Sequence, residues 1–418
     1  MSFQQGITGL NATSKNLDVI GNNIANSGTI GAKSSRVEFS DIYSAAKGGA
    51  GGLQVGSGVA VAAVAQNFSG GTITNTNKPL DLALSGNGFF QVQTGDLSLH
   101  YTRNGQFKVD RDGNIVNDGG NKLMGYAADA TGTIQSGRAV PLQILSTGIE
   151  PKATTKVDLA ANLDSRALIT TPAAPPLIDF ADSTTYNNAT SINAVDANGK
   201  DIVVTSYFQK TAANTWDVYV TANGNSISGS PPVASGTITF DPTGATVTAP
   251  VAPLSVNIPA GPVVSGVGTL AITGLKLDTT TFTQFASAFG ITKAAQDGYG
   301  AGSLSSVNVD TSGLIRANYS NGHAKAIGQL ELANFANLNG LQPIGGNEWA
   351  QTTAAGDPVL GTAGSGTLGV VQSSAVEESN VDLTSELVNM MVAQRIYQAN
   401  AQTIKTQDQV LSTLVNLR

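Results

Sequence analysis

Leu383-Thr384-Ser385-Glu386-Leu387-Val388-Asn389-Met390-Met391-Val392-Ala393-Gln394-Arg395-Ile396-Tyr397-Gln398-Ala399-Asn400-Ala401-Gln402-Thr403-Ile404 repeats apolar residues in steps of four and three, and that spacing decides how the chain is read. The series Leu383, Leu387, Met390, Gln394, Tyr397, Ala401, Ile404, Asp408, Leu411 and Val415 is apolar at eight of ten positions, which marks one face of a helix that needs a partner. The spacing predicts a helix over Asn380 to Leu417, about 57 Å at 1.5 Å per residue. Ser379 and Asp382 can cap its start, and Arg418 suits the carbonyl-rich end. At the other terminus Phe3, Ile7, Leu10, Ser14, Leu17, Gly21 and Ile24 follow the same steps, five of seven apolar, with no proline from Met1 to Gly31. Ser2 and Gln5 fit a capping box, and the run from Gly21-Asn22-Asn23 through Asn26-Ser27-Gly28 supplies a stop.

Inward from both ends the pattern changes to short alternating stretches. Val59-Ala60-Val61-Ala62 and Phe89-Phe90-Gln91-Val92 read as strands, and Asn87-Gly88, Asn104-Gly105, Asp112-Gly113, Asn198-Gly199, Asn223-Gly224 and Asn321-Gly322 read as hairpin turns. Gly48 to Gly58 carries six glycines, the composition of a flexible junction. Residues from Pro151 to Gly274 are rich in Thr, Ala, Val and Pro, with prolines at apparent strand ends. The expected fold is therefore mixed α and β. N- and C-terminal helices (1–30 with 376–418) form a coiled-coil-like layer. A glycine-rich junction covers 31–70, and a mainly antiparallel, discontinuous inner β-domain covers 71–150 with 277–375. An inserted β-barrel or sandwich-like outer domain covers 151–276.

Composition narrows the function. Charged residues are only 12% of 418 residues, with 48 glycines, where about a quarter charged is usual. A net charge of −7 and no lysine/arginine cluster argue against nucleic acid. No apolar run of about 18 residues suggests membrane insertion. The absence of cysteine excludes disulfides and thiol chemistry. The first six residues lack the features of a secretory signal peptide, so export is expected by another route.

Candidate chemical sites are weak. His100 and His323, the two histidines, have no sequence neighbours arranged as a base and its orienter. Asp110-Arg111-Asp112-Gly113-Asn114 opens like a calcium loop but places glycine fourth and lacks the closing glutamate, which favours a turn. Gly86-Asn87-Gly88 and Gly298-Tyr299-Gly300-Ala301-Gly302 do not extend into a phosphate-binding fingerprint. Met390 continues the helical seam beside Met391, and Glu377, Glu378, Asp382 and Glu386 complement a helix start. No catalytic residue, cofactor or metal site is expected.

The N-terminal helix, with Gly6, Gly9, Thr13 and Ser14, is marginal alone. Its partners are the C-terminal helix of the same chain or helices of neighbouring copies, with ordering expected on assembly. A simple helical hairpin leaves about 13 residues of the longer helix uncovered by the 1.5 Å rise, and a head-to-tail contact that does not close builds a helical filament. The expected polymer contacts are the seam residues Phe3, Ile7, Leu10, Leu17, Ile24, Leu383, Leu387, Met390, Tyr397, Ile404, Leu411 and Val415.

Ile7-Thr8-Gly9-Leu10-Asn11-Ala12 and Leu17-Asp18-Val19-Ile20-Gly21-Asn22-Asn23-Ile24-Ala25-Asn26 resemble the N-terminal signature of flagellar rod and hook proteins. Asn380-Val381-Asp382-Leu383 and Gln394-Arg395-Ile396-Tyr397-Gln398-Ala399-Asn400-Ala401 resemble the C-terminal one. The motif positions carried over are Asn22, Asn23, Asn26, Asp382, Gln394 and Asn400. Leu80-Asp81-Leu82-Ala83-Leu84-Ser85-Gly86-Asn87-Gly88-Phe89-Phe90 is shared with rod proteins, whereas Gly340-Leu341-Gln342-Pro343 after Ala333-Asn334-Phe335-Ala336-Asn337, and the length, look hook-like. Ile30-Gly31-Ala32-Lys33 departs from the pattern, which often has an aromatic before the lysine. The resemblance covers about 1–150 and 277–418. It implies a self-polymer, terminal helices lining a tube, and export through the flagellar type III apparatus. It further implies a guiding cap protein, with distal rod and hook–filament junction proteins as neighbours. A long rod-type subunit is the nearest alternative. A β-domain adhesin would need an ordinary secretion signal, and a secreted enzyme would need convergent titratable residues.

Overall fold

A computed structural model of the chain describes residues 3–42, 56, 58–144, 148–170, 178–261 and 268–416. The fold is mostly β, framed by two helices: α1, Phe3–Ala25, and α2, Leu383–Asn416. The end of α1 is set by asparagine and serine. Asn26 donates both its backbone N–H (3.1 Å) and its Nδ2 (2.9 Å) to the Asn22 carbonyl, and the Ser27 hydroxyl donates to Ile24 O at 2.9 Å. These bonds satisfy carbonyls that a terminating helix leaves without partners. At the start of α2, Asp382 Oδ1 accepts the Thr384 (2.9 Å) and Ser385 (3.2 Å) N–H groups, an N-cap whose charge also suits that end. The expected Ser2 cap and Arg418 lie outside the described residues, while Gln5 donates instead to Gly56 O at 2.6 Å.

The chain divides into two compact units, residues 1–145 with 306–318 and 324–418, and residues 146–305 with 319–323. In the first, α1 and α2 pack antiparallel within one chain. A Cβ built on Gly6 would lie 2.9 Å from Ile404 Cγ1 and one on Gly9 2.9 Å from Asn400 Nδ2, while Asn23 at the far end meets Glu386. The helix that is marginal alone thus finds a partner in the C-terminal helix of its own chain, and at Gly6 and Gly9, two of its poor helix formers, side chains of α2 reach its backbone. On another side of α1 lies an antiparallel ribbon, Ser35–Ile42 with Gly58–Gln66. Most of the glycine-rich stretch expected as a junction, 48–55 and 57, lies outside the described residues.

The first unit also holds an open sheet in which Phe89–Gln93, Leu99–Thr102, Glu348–Ala350 and Gln342–Gly345 follow one another, with Lys122–Ala127 and Ala324–Leu330 on the other flank. Its core stacks Phe89, Tyr101, Phe335 and Trp349 edge to face, centroids 4.7 to 6.3 Å apart, the geometry that ring quadrupoles favour.

The second unit is a two-sheet sandwich. One sheet orders Leu254–Ile258, Ile272–Asp278, Lys156–Asn162 and Gly290–Gln296; the other orders Asn188–Val195, Asp201–Ala212, Thr215–Ala222, Gly236–Phe240 and Val247–Ala249. Alternation along Lys156–Asn162 and Asp201–Ala212 turns Val157, Leu159, Val204 and Phe208 inward onto Trp216, Val256, Leu277 and Phe282. Neither sheet closes, so the barrel alternative is set aside. One pairing, Lys156–Asp158 with Lys276–Asp278, is parallel. The unit runs past residue 276 because Gly290–Gln296 completes the first sheet and Phe282 is buried in its core.

Four of the six turns expected from Asn-Gly and Asp-Gly join paired strands, those at residues 112–113, 198–199, 223–224 and 321–322. The other two do not. Gly88 separates strands that pair elsewhere, and Gly105 is pressed against Leu82, its carbonyl accepting the Leu82 N–H at 2.9 Å. An Asp-x-x-Gly turn recurs: the backbone carbonyls of Asp110, Asp129, Asp196, Asp241 and Asp310 each accept the N–H of the glycine three residues on, which has φ between 72° and 85°. Only glycine adopts that conformation without strain.

Candidate functional site

The functional surface is built where the two chain termini meet. Glu377, the last residue of strand Ala375–Glu377, is buried with the side chain of Lys33 0% exposed and that of Arg103 4% exposed. Its Oε1 lies 2.6 Å from Lys33 Nζ and accepts the Gly71 N–H at 2.9 Å; its Oε2 accepts from Arg103 Nη1 at 3.2 Å. Lys33 also donates to Ser69 O (2.8 Å) and Arg103 to Gly86 O (3.0 Å), and the guanidinium lies 5.2 Å over the Phe89 ring. Burial lowers the affinity of both cations for their protons, and Glu377 offsets part of that effect. Two cations and one carboxylate thus tie the segment after α1, the central sheet and the strand before α2 into one buried buckle. Glu377 was read from sequence as a helix-start charge; its role here is this triad. Gly31, at φ 72°, passes so close that a Cβ would lie 2.6 Å from Asn104 N.

Asparagines complete the clasp by imitating backbone. Asn23 accepts the Ser35 N–H (2.9 Å) and donates to Ser35 O (2.7 Å) and Glu386 (3.1 Å). Asn380 accepts the Ser34 N–H (2.8 Å) and donates to Asn67 O (2.8 Å); Asn347 donates to Ile30 O (2.8 Å). Of the motif positions, Asn23 is buried in this clasp, Asn26 ends α1, Asp382 caps α2, Asn400 faces Gly9, and Asn22 and Gln394 are exposed.

The seam residues divide. Leu10, Leu17, Ile24, Met390 and Ile404 are half-buried, whereas Phe3, Ile7, Leu383, Leu387, Tyr397 and Leu411 are exposed; Val415 lies in α2. The face of α1 that is buried runs instead through Gly6, Ala12, Thr13, Val19, Ile20 and Asn23, and Ala393 is buried on α2. Gly6 and Gly9 admit the Ile404 and Asn400 side chains against the α1 backbone, while several of the larger apolar residues of α2 stay exposed. The result is an open apolar stripe on α2 formed by Leu383, Leu387, Val388, Met391, Val392 and Ile396, with Val410 and Leu411 further on, each between 45% and 53% exposed. The antiparallel register also leaves the last part of α2 beyond the start of α1: 34 residues against 23 leaves eleven, about 16 Å of helix.

His100 does have a carboxylate partner, supplied by the fold and not by sequence neighbours: its Nδ1 lies 2.7 Å from Glu348, which also accepts from Asn117 and Asn121 at 2.7 Å. With three donors the carboxylate is satisfied as a structural tie between strands. His323 stacks against Tyr299, centroids 4.3 Å apart. Among the described residues no cluster of three metal-ligating side chains occurs, and no helix is long and apolar enough to cross a membrane.

Family models place these features in a class. Residues 3–33 match the flagella basal body rod protein model and 372–417 the basal body rod FlgEFG protein C-terminal model, the two ends joined in the clasp. Residues 83–162 match the flagellar hook protein FlgE/F/G D1 domain, and 162–299 the flagellar basal body protein FlaE D2 domain. This is an axial structural protein of the flagellum. Among full-length relatives, flagellar hook protein FlgE of Salmonella typhimurium is 43% identical and that of Escherichia coli 42%, each covering all of both chains; that of Borreliella burgdorferi is 34% identical over all of this chain and 99% of its own. The chain belongs to the flagellar hook protein FlgE family. The crystal structure of Helicobacter pylori FlgE2 shares the fold, with a TM-score of 0.55 at 15% identity, covering 73% of this chain and all of that one.

Proposed function

We propose that this chain is the structural subunit of the bacterial flagellar hook, polymerising head to tail into a bendable tube that passes motor torque to the filament. The observation that carries the reading is the open apolar stripe of α2 with its overhang past α1, on a stem already clasped at its base. Each half-exposed Leu, Val, Ile or Met covered by a neighbour contributes on the order of 1 kcal/mol, so contacts through Leu383, Leu387, Met391 and Ile396 add on the order of 4 kcal/mol toward assembly. The inner layer is a coiled-coil-like packing of such stems, using Phe3, Ile7, Leu387, Tyr397, Leu411 and Val415. The sheets of the first unit surround that layer. Few surface charges leave many contacts of similar energy, which suits sliding between copies better than fixed ion pairs. Export runs through the flagellar type III apparatus to the cell exterior, with a cap protein guiding assembly and distal rod and junction proteins at the two ends.

Electron microscopy of purified protein under polymerising conditions tests this. Wild type forms tubes; Leu387→Asp, Leu411→Asp and a chain ending at residue 407 do not, while circular dichroism shows each still folded and β-rich. Tubes from the three variants at wild-type concentration would overturn the assignment of the stripe.

A further inference from the structure

Leu97 stands out among the described residues with positive φ. The other non-glycine members, Asn77, Asn223, Asn347 and Ser374, are small and polar, whereas Leu97 has φ 69° and is 73% exposed. A leucine rarely adopts this conformation, and here no packing rewards it. The turn that imposes it is braced. Thr94 donates its N–H to Ser98 O and Leu97 its N–H to Thr94 O, both at 3.0 Å; the Ser98 hydroxyl reaches Asp96 at 2.7 Å, and Thr94 Oγ1 also bonds Asp96. Hydrogen bonds from Ser98 and Thr94 hold the Asp96 carboxyl down to about 2, so the brace persists at any physiological pH. Strain kept at an exposed apolar side chain points to a contact made outside the chain.

The same unit carries a recess. Val64, Phe68, Leu338, Leu341 and Pro343, with Ser35, Gln66 and Asn339 at its polar side, line an open pocket of about 230 Å³, larger than the ~150 Å³ that holds a benzene-sized guest. The chain cannot fill it with its own Leu97. Tyr101 pairs with Trp349 and Trp349 with Pro343, so Leu97, four residues before Tyr101, lies roughly 13 Å along the strands and 10 Å across them from the recess.

We propose that Leu97 of one copy inserts into the recess formed by Val64, Phe68, Leu338, Leu341 and Pro343 of a second copy. An open polymer needs two different, complementary patches on each subunit, and this knob and socket are such a pair. The proposal rests on the head-to-tail assembly proposed above.

Because the chain has no cysteine, cross-linking tests it cleanly. Leu97→Cys combined with Asn339→Cys, at the socket rim, gives a ladder of covalent multimers when polymer is mildly oxidised, and neither single variant does. Leu97→Gly relieves the strained backbone, so its monomer melts no lower than wild type, yet about tenfold more protein is needed for tubes to form. Tubes that show no ladder, a ladder from Leu97→Cys alone, or Leu97→Gly assembling at wild-type concentration would each overturn the knob and socket. Failure of wild type to form tubes would instead remove the polymer reading itself.

Discussion

Glu377 is one carboxylate answering to two buried cations, and that imbalance makes the three residues unequal. Replacing Glu377 with Gln leaves Lys33 and Arg103 facing each other in a site where both side chains are almost wholly buried, a change of the kind that costs about 3–5 kcal/mol. Lys33→Met instead leaves a neutral Arg103–Glu377 pair and removes a charge that burial disfavours, so its loss is expected to be smaller. Denaturant unfolding of the two variants checks the order, and a Lys33→Met loss equal to that of Glu377→Gln would contradict the unequal roles. The folded Lys33 value lies below its ordinary 10.5, so between the two the unfolded chain holds the extra proton and wild-type stability rises with pH. That rise is expected to vanish in Lys33→Met.

At the scale of elements, the β-turns make the fold sensitive to acid. Asp110, Asp129 and Asp241 are held below the usual carboxylate range chiefly by side-chain hydrogen bonds from Asn114, Thr131 and Thr243, and Asp96 and Asp164 lie at about 2. Folded values below the unfolded 3.8 mean that the contribution is complete above about pH 4 and fades as pH falls toward about 2. A melting temperature flat from neutral to about 4 and dropping below it is expected. Replacing Asp110 and Asp129 with Asn, which keeps an acceptor oxygen, flattens that drop, and an unchanged profile in this variant would place the acid sensitivity elsewhere.

The same elements show what sequence can and cannot reveal. Both terminal helices are legible in the four-and-three spacing, because a helix repeats its environment every turn. The face used between them is legible only in part: the spacing includes Ile404, which lies against Gly6, but passes over Gly6 and Gly9, where side chains of α2 meet the α1 backbone. Of the Asp-x-x-Gly turns, those ending at Gly113 and Gly199 are legible through the residue before the glycine, whereas those at Gly132, Gly244 and Gly313 show only in the aspartate three residues earlier. Lys33, Arg103 and Glu377 lie in three distant segments, as do His100 and Glu348, and no local pattern could have joined them. The signature asparagines mark the family by resemblance, while the bonds of Asn23 and Asn380 appear only in three dimensions.

For the whole molecule, two units with separate cores predict separable unfolding. The two tryptophans are divided between them: Trp349, bonded to Gln66 at 2.7 Å, in the first, and Trp216, bonded to Gln284 at 3.2 Å, in the sandwich. Trp349→Phe and Trp216→Phe are each expected to leave a fluorescence transition at a different denaturant concentration, and coincident midpoints would show the units to unfold as one.

The buckle has a mechanical consequence. A pull applied along α2 reaches the body through Ala375–Glu377, whose backbone is paired with Ile73–Asn75 and whose last side chain grips Lys33 and Arg103. Strand bonds, a buried ion pair and the asparagine clasps then share the load at the root of α2. A subunit fastened in this way keeps the root of its stem tied to its own sheets when the helix is loaded.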